Sequence, residues 1–438
     1  MKYIPINTLC HLFVIDETSS FVIGSPPEWI KRATGVPFPR HILLGDSLLV
    51  NGCNFAEIEF PLYKNFFFNK LRKTEIVCPE ESTPRLAGIL AEALLGPDYR
   101  LDSPGSVKAA YFGDILAVRK NFDPSGEKLT LDDYATFHTY ENDRFAIGDC
   151  AIRRVDRDAF HVAWPGGEQS VSLEYRETSL DKRPASPRAI PGALSIFCFD
   201  SGDGFTPAKE CSSFILNAGG RYILFDPSLS SFDRLVERGC DFRDVAAVFI
   251  SHVHADHDQG LYRFLMYNKN IIIMTGETVC ESLAHKIGLM VGDANFATQC
   301  RITPIPLKQR TGVAELGIDV YCDLGFHSIP SAMAKIYFHD AGLRDIVLAY
   351  SGDTLYDPVR IRSDSFNAVY REDLLRFYDD ATHIIHEGGA GLIHTDPEDL
   401  IPFLAPGQEI YWMHTGRTND DGFSRGHILT RDENIVIR

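Results

Sequence analysis

From residue 193 onward the chain repeats one pattern, in which a short apolar run closes on a loop loaded with polar residues. The runs are ALSIFCF (193–199), SSFILNA (212–218), RYILFD (221–226), VAAVFIS (245–251), NIIIMTG (270–276), DIVLAYSGD (345–353), THIIHEGG (382–389) and EIYWMHTG (409–416). Their length and aliphatic content predict strands, and their unbroken apolar cores predict burial on both faces. GLYRFLMYNK (260–269) and PEDLIPFLA (397–405), lying between them, predict helices. Sheets covered by helices on both sides give an α/β fold of the αββα sandwich type. Reactive residues then collect where strand ends and loops converge on one edge.

The pattern before residue 193 is different. EIEFPLYKNFFFNK (57–70) is aromatic-rich, RLAGILAEALL (85–95) has helical spacing, and CAIRRVDRDAFHVAWPGGEQSVSLEY (150–175) alternates like a strand meander turning at PGG. An α+β accessory domain over residues 1–185 follows, with no chemical signature of its own. YRETSLDKRPASPRAIPGA (175–193) holds three prolines and three arginines and reads as an extended linker. The second domain is expected over 193–438.

Charge sharpens this division. The formal net charge is −17, of which residues 1–190 carry −4 and residues 191–438 carry −13. An acidic half is a poor match for long nucleic acid, which is usually met with a basic face. A small anionic substrate remains compatible, because bound divalent cations offset negative charge locally. The 10 cysteines are scattered without a C-x-x-C pair, which suits reduced thiols better than a disulfide framework or a thiolate zinc site. No apolar run approaches the roughly 20 residues that span a bilayer. These features predict a soluble cytoplasmic protein with no membrane partner, and they leave a homo-oligomer open.

The strongest chemical signal is AAVFISHVHADHDQG (246–260). His252 and His254 are two apart, so in an extended segment their side chains share one face. Asp256, His257 and Asp258 then open a helix, and the turn brings them back toward the first pair. Burying several ionisable groups together is costly unless an opposite charge binds them. Imidazole nitrogens with a carboxylate suit Zn²⁺ first, with Mn²⁺ or Fe as rivals. Later strand ends supply His327 in GFHSIPSAM, Asp353 in AYSGDT and His414 in YWMHTG. Together these make seven ligands, enough for two divalent metal ions sharing Asp353.

This motif set resembles the metallo-β-lactamase superfamily, whose H-x-H-x-D-H signature is matched by His252, His254, Asp256 and His257. The resemblance covers roughly residues 193–420. It implies a binuclear hydrolase, with Asp226 in the hairpin 200–228 bracing the metal loop. HEGGAGLIHTDPEDL (386–400) is similar to the paired Glu and His motifs of the RNase Z branch and its cyclic-nucleotide phosphodiesterase relatives. Glu387 and His394 match that glutamate and histidine.

On this resemblance His252, His254 and His327 hold one metal, Asp256, His257 and His414 the second, and Asp353 bridges. Asp256 counts as catalytic as well as ligating, because it helps hold the pair that activates a bridging hydroxide. His394 would protonate the leaving group, with Glu387 holding its imidazole. The leading expectation is a phosphodiesterase acting on a small or short nucleotide substrate. An RNase Z-like RNA endonuclease and a thioester or lactone hydrolase are alternatives on the same fold. A sensor or binding protein with a degenerate hydrolase domain is the alternative that is not an enzyme. Lys308 and Arg310 in PLKQRTG are candidate contacts for a substrate phosphate.

Overall fold

The computed structural model describes residues 1–46, 49–50, 53–54, 56–69, 72–97, 107–119, 129–174, 188–361, 374–391 and 393–438. Most of the expected linker, 175–187, lies outside the described residues. The chain forms two compact units. The first is Met1–Ala91, Leu129–Ser179 and Gly288–Ala294; the second is Glu92–Lys128, Leu180–Ile287 and Asn295–Arg438.

The first unit is α+β. Its six-stranded sheet starts as an antiparallel run, Lys2–Asn7, Cys10–Val14 and Ser20–Ile23. It continues in parallel through His41–Leu43, Thr74–Val77 and Ala135–His138. The alternation read at 150–175 becomes the antiparallel strands Cys150–Asp156, Ala159–Trp164 and Gly167–Ser172 of a four-stranded meander. Phe13, Phe21, Ile23, Leu43 and Val77 from the first sheet pack with Ile152, Phe160 and Val162 from the second.

In the second unit two seven-stranded sheets stack. One runs in the order Arg301–Ile305, Ile272–Gly276, Val245–Ile250, Arg221–Phe225, Ser213–Ala218, Leu194–Asp200, Asn434–Val436. The other runs Arg310–Val313, Ile318–Gly325, Ser331–Phe338, Val347–Tyr350, His383–Glu387, Glu409–Met413, His427–Ile428. Each is antiparallel on one side and parallel on the other. Continuous apolar runs buried on both faces occur in parallel strands such as Val245–Ile250 and Ile272–Gly276, and equally in the antiparallel Leu194–Asp200 and Ser213–Ala218. Between the sheets, Tyr350 of the second meets Phe214 and Phe225 of the first, with ring centroids 5.2 and 5.4 Å apart. The long strands Ile318–Gly325 and Ser331–Phe338 were not among the runs read from sequence, because IDVYCDLG and SAMAKIYF mix small and polar residues into the apolar pattern.

The compact units do not divide where the composition changes. Glu92–Lys128, expected within an N-terminal domain ending at 185, belongs to the sandwich unit. The physical reason is helix Val107–Arg119, whose Tyr111, Phe112, Ile115 and Val118 are buried with Leu324, Met333, Ile384 and Trp412 of the second sheet and with Phe326 just beyond one of its strands. That helix supplies part of the outer layer that the αββα arrangement needs. No helix of the described residues is long and apolar enough to cross a membrane.

Candidate active site

The strand Val245–Ile250 ends at the sandwich edge, and His254 caps helix Ala255–Tyr267 in an extended conformation, with φ −72° and ψ 149°. The extended stretch and the first helical turn aim their side chains at one point. His254 Nδ1 lies 3.0 Å from His252 Nε2 and 3.2 Å from His327 Nε2. His414 Nε2 lies 3.1 Å from Asp256 Oδ2, and His257 Nε2 lies 3.6 Å from Asp256 Oδ1. Asp353 stands between these groups. Its Oδ2 is 3.3 Å from His257 Nε2, 3.4 Å from His414 Nε2, and 4.0 Å from both His252 and His327 Nε2. The structure therefore brings together all seven residues that the sequence singled out as ligands.

All seven are at most 6% exposed. Burial, and then the neighbouring imidazoles, hold His252 and His254 well below the usual histidine range. Burial likewise brings His327 down to about 4. These three rings are neutral, the state a metal ligand requires. Burial also disfavours the charged forms of His257 and His414, but the carboxylates of Asp353 and Asp256 outweigh it and raise both. Without cations, protons are thus drawn in to balance the buried carboxylates. His257 Nε2, His414 Nδ1 and Asp353 Oδ1 are buried with no hydrogen-bond partner among the described residues. His257 Nε2 stands inside the cluster, while His414 turns Nε2 rather than Nδ1 toward Asp256 and Asp353, and this donor set of imidazole nitrogens and carboxylate oxygens fits divalent cations.

The hydrogen-bond network fixes which ring nitrogens face the cluster. Asp226 accepts the Ser251 amide at 2.7 Å, the Ser251 hydroxyl, the Tyr350 hydroxyl at 2.7 Å and His257 Nδ1 at 2.9 Å. His252 Nδ1 is satisfied by Ser251 Oγ at 2.9 Å, and His327 Nδ1 by the Ile393 carbonyl at 3.2 Å. Each of these rings is left with Nε2 directed inward, as partners behind a metal-ligating imidazole do. Asp226 and His414 both have positive φ, 42° and 53°, so two of the loops carry backbone strain.

Several supporting residues escaped the sequence reading. Lys286 Nζ lies 2.8 Å from Asp258 Oδ2 and 2.6 Å from the Val253 carbonyl, and Tyr262 donates to the same carboxylate oxygen at 2.8 Å. A lone lysine in ETVCESLAHKIGLMV gives only one signal, its place on an otherwise apolar helical stripe.

Glu387 ends the strand His383–Glu387 and is 1% exposed. Backbone amides of Thr395 and Gly389 donate to its two oxygens at 2.7 and 2.9 Å. His394 Nδ1 lies 3.6 Å from Glu387 Oε1 and 3.7 Å from Asp353 Oδ2. Burial lowers the His394 pKa, but Glu387 and then Asp353 overcome it and bring the ring up to about 9. His394 is thus next to the ligand cluster and is less enclosed, with 22% of its side chain exposed. Arg310 is engaged elsewhere: its Nε donates to Asp319 at 2.7 Å and its guanidinium lies over the Tyr337 ring.

Two stacked sheets flanked by helices, with H-x-H-x-D-H and three further donors meeting at one edge, define a metallo-β-lactamase-fold protein. The chain belongs to the family described as anti-Pycsar protein Apyc1, whose model matches residues 194–421, just over half of its length. It is 23% identical over 459 residues to the cAMP/cGMP-dependent 3′,5′-cAMP/cGMP phosphodiesterase B of Dictyostelium discoideum, covering 87% of this chain and 40% of that protein. It is 28% identical over 213 residues to the cGMP-dependent 3′,5′-cGMP phosphodiesterase A of the same organism, covering 47% of this chain and 23% of that protein. The chain therefore spans less than half the length of these curated relatives. Among solved structures it is similar to the short form of human tRNase Z, at 15% identity, a TM-score of 0.42, and coverage of 56% of this chain and 99% of the other.

Proposed function

We propose that this protein is a two-metal phosphodiesterase whose substrate is a 3′,5′-cyclic nucleotide. The observation that carries the reading is the convergence of six buried donors around a seventh, Asp353, with Glu387 and His394 beside them. The names of the two Dictyostelium relatives support the substrate class. The acidic charge of residues 191–438 favours a small substrate over long RNA.

His252, His254 and His327 would hold one cation, Asp256, His257 and His414 the other, with Asp353 shared. Zinc is the first expectation from these donors. Divalent cations bound there would make a water nucleophilic near neutral pH and neutralise the charge on the phosphoryl oxygens. The chain's own residues do the rest. Water adds to phosphorus, one ester P–O bond breaks, and the departing alkoxide needs a proton. His394, beside the ligand cluster, would supply it, and Glu387, whose oxygens accept the Thr395 and Gly389 amides, would keep that ring oriented. The product is a nucleoside monophosphate.

The test is hydrolysis of cyclic AMP, cyclic GMP and a short RNA by the full chain loaded with Zn²⁺ or Mn²⁺, beside Asp256→Ala and His394→Ala. Asp256→Ala should abolish turnover. His394→Ala should lose roughly 10²–10⁴-fold on cyclic nucleotides and much less on bis(p-nitrophenyl) phosphate, whose leaving group needs no proton. Two bound metals per chain without turnover of any phosphodiester would defeat the reading and favour thioesters or lactones.

A further inference from the structure

Helix Val107–Arg119 comes from the N-terminal half of the sequence, yet its polar groups end on the loop that carries His327. The fully buried Tyr111 hydroxyl donates to the Gly325 carbonyl and accepts the Ser331 amide at 3.0 Å. Gly325 and Ser331 face each other across the antiparallel ladder, so one hydroxyl ties both feet of the loop 326–330. Two helical turns further on, Arg119 Nε donates to the Ser328 carbonyl at 2.6 Å, while its Nη2 donates to the Leu95 carbonyl at 2.6 Å. Ser328 is the residue after His327, so the crest of the loop is held from the same helix face.

On its other side the loop is tied to the neighbouring ligand. Thr354 Oγ1 accepts the Phe326 amide at 2.9 Å, and Ser331 Oγ donates to the Asp353 carbonyl at 2.8 Å. The His327 ring itself has only the Ile393 carbonyl behind Nδ1. Its position therefore depends on the backbone around it. Misplacing a reacting or ligating group by about 1 Å can cost roughly 10²-fold in rate.

We propose that Tyr111 and Arg119 are positioning residues for the reaction, holding the 326–330 loop so that His327 Nε2 meets His252 and His254. The inference rests on the reading of His327 as a metal ligand. It assigns a task to the segment around helix Val107–Arg119 that composition alone gave to an accessory domain.

The test uses the full chain with Tyr111→Phe, Arg119→Met, Arg119→Lys and His327→Ala. Gly113→Ala on the exposed side of the same helix, where an added methyl meets nothing within 4 Å, is the control. The readouts are Zn²⁺ affinity by competition with a chromophoric chelator, and the d–d absorption of protein loaded with Co²⁺. Tyr111→Phe and Arg119→Met should weaken one of two Zn²⁺ equivalents by roughly 10–100-fold and alter the Co²⁺ spectrum. Arg119→Lys should recover part of the loss, and Gly113→Ala should match the parent. If Tyr111→Phe does not fold, the Arg119 pair decides. His327→Ala losing one metal while the Tyr111 and Arg119 variants bind like the parent would overturn the positioning role. His327→Ala binding both metals at parental affinity would instead overturn the ligand assignment.

Discussion

The Lys286–Asp258 pair is the place where one substitution should be most informative about how the donor loop is held. Both side chains are enclosed, at 2% and 1% exposure, and their charged atoms are 2.8 Å apart. Lys286→Met keeps the aliphatic stem and removes the ammonium. The Asp258 carboxylate then keeps the Tyr262 hydroxyl, while its Oδ1 already lacks a partner among the described residues. Breaking one side of a buried ion pair costs about 3–5 kcal/mol, and the Val253 carbonyl loses its lysine donor, worth about 1 kcal/mol more. Domain stabilities are about 5–15 kcal/mol, so the loss is a large share of the total.

The two compact units make a single unfolding transition an unsafe assumption. The assay therefore uses Trp29→Phe with Trp164→Phe, leaving the buried Trp412 of the sandwich as the sole reporter of urea unfolding. Adding Asp258→Asn to Lys286→Met removes the stranded charge and should recover about 1–3 kcal/mol. A loss below about 1 kcal/mol in Lys286→Met would refute the reasoning, as would a double variant no more stable than Lys286→Met alone.

Other consequences can be checked in the same protein. Stripping metals with a chelator should lower the melting temperature seen by Trp412, since a cation at about 1,000 times its Kd adds about 4 kcal/mol to the folded state; equal melting with and without chelator counts against a resident metal. Asp226→Asn keeps a side chain that tolerates the positive φ but removes the carboxylate that takes four hydrogen bonds. Metal affinity should fall roughly 10–100-fold in chelator competition, and parental affinity would reject the bracing role. In the first unit, burial outweighs Glu75 and holds His41 down at about 4. The unfolded chain, with an imidazole near pH 6.5, then binds more protons across that window, so stability falls as pH drops from about 6.5 toward about 4. Urea midpoints reported by Trp29 and Trp164 should show this, and His41→Asn should flatten the slope; an unchanged slope assigns it to another group.

The donor set was legible because its chemistry is concentrated at strand ends. His252, His254, Asp256 and His257 fall within six residues, and His327, Asp353 and His414 each follow a strand at the same edge. The apolar runs with continuous cores gave eight strands of the sandwich. Strands such as Ile318–Gly325 escaped because Asp319, Tyr321 and Asp323 alternate with the buried Ile318, Val320, Cys322 and Leu324, so no unbroken apolar run forms. The supporting residues were illegible for another reason. Tyr111 acts on Gly325 and Ser331, 214 and 220 residues away, and nothing local marks a tyrosine whose partners are distant carbonyls and amides. Lys286 is similar, since its burial depends on Asp258 arriving from another helix. Composition marked a boundary near 185, whereas packing assigned Glu92–Lys128 to the sandwich because its apolar helix face needed that sheet.

The first strand of the sandwich, Leu194–Asp200, is completed on its outer side by Asn434–Val436, with Ser195 opposite Val436 and Phe197 opposite Asn434. During synthesis at about 5–20 residues per second, that edge stays open for roughly 10–50 s after the strand is made. All seven candidate donors, the last of them His414, have been made before the closing strand exists. Until then the outer edge of Leu194–Asp200 is unpaired, and an unpaired strand edge invites other chains. Closure of this sheet therefore waits on residues 201–436, with all seven candidate donors among them.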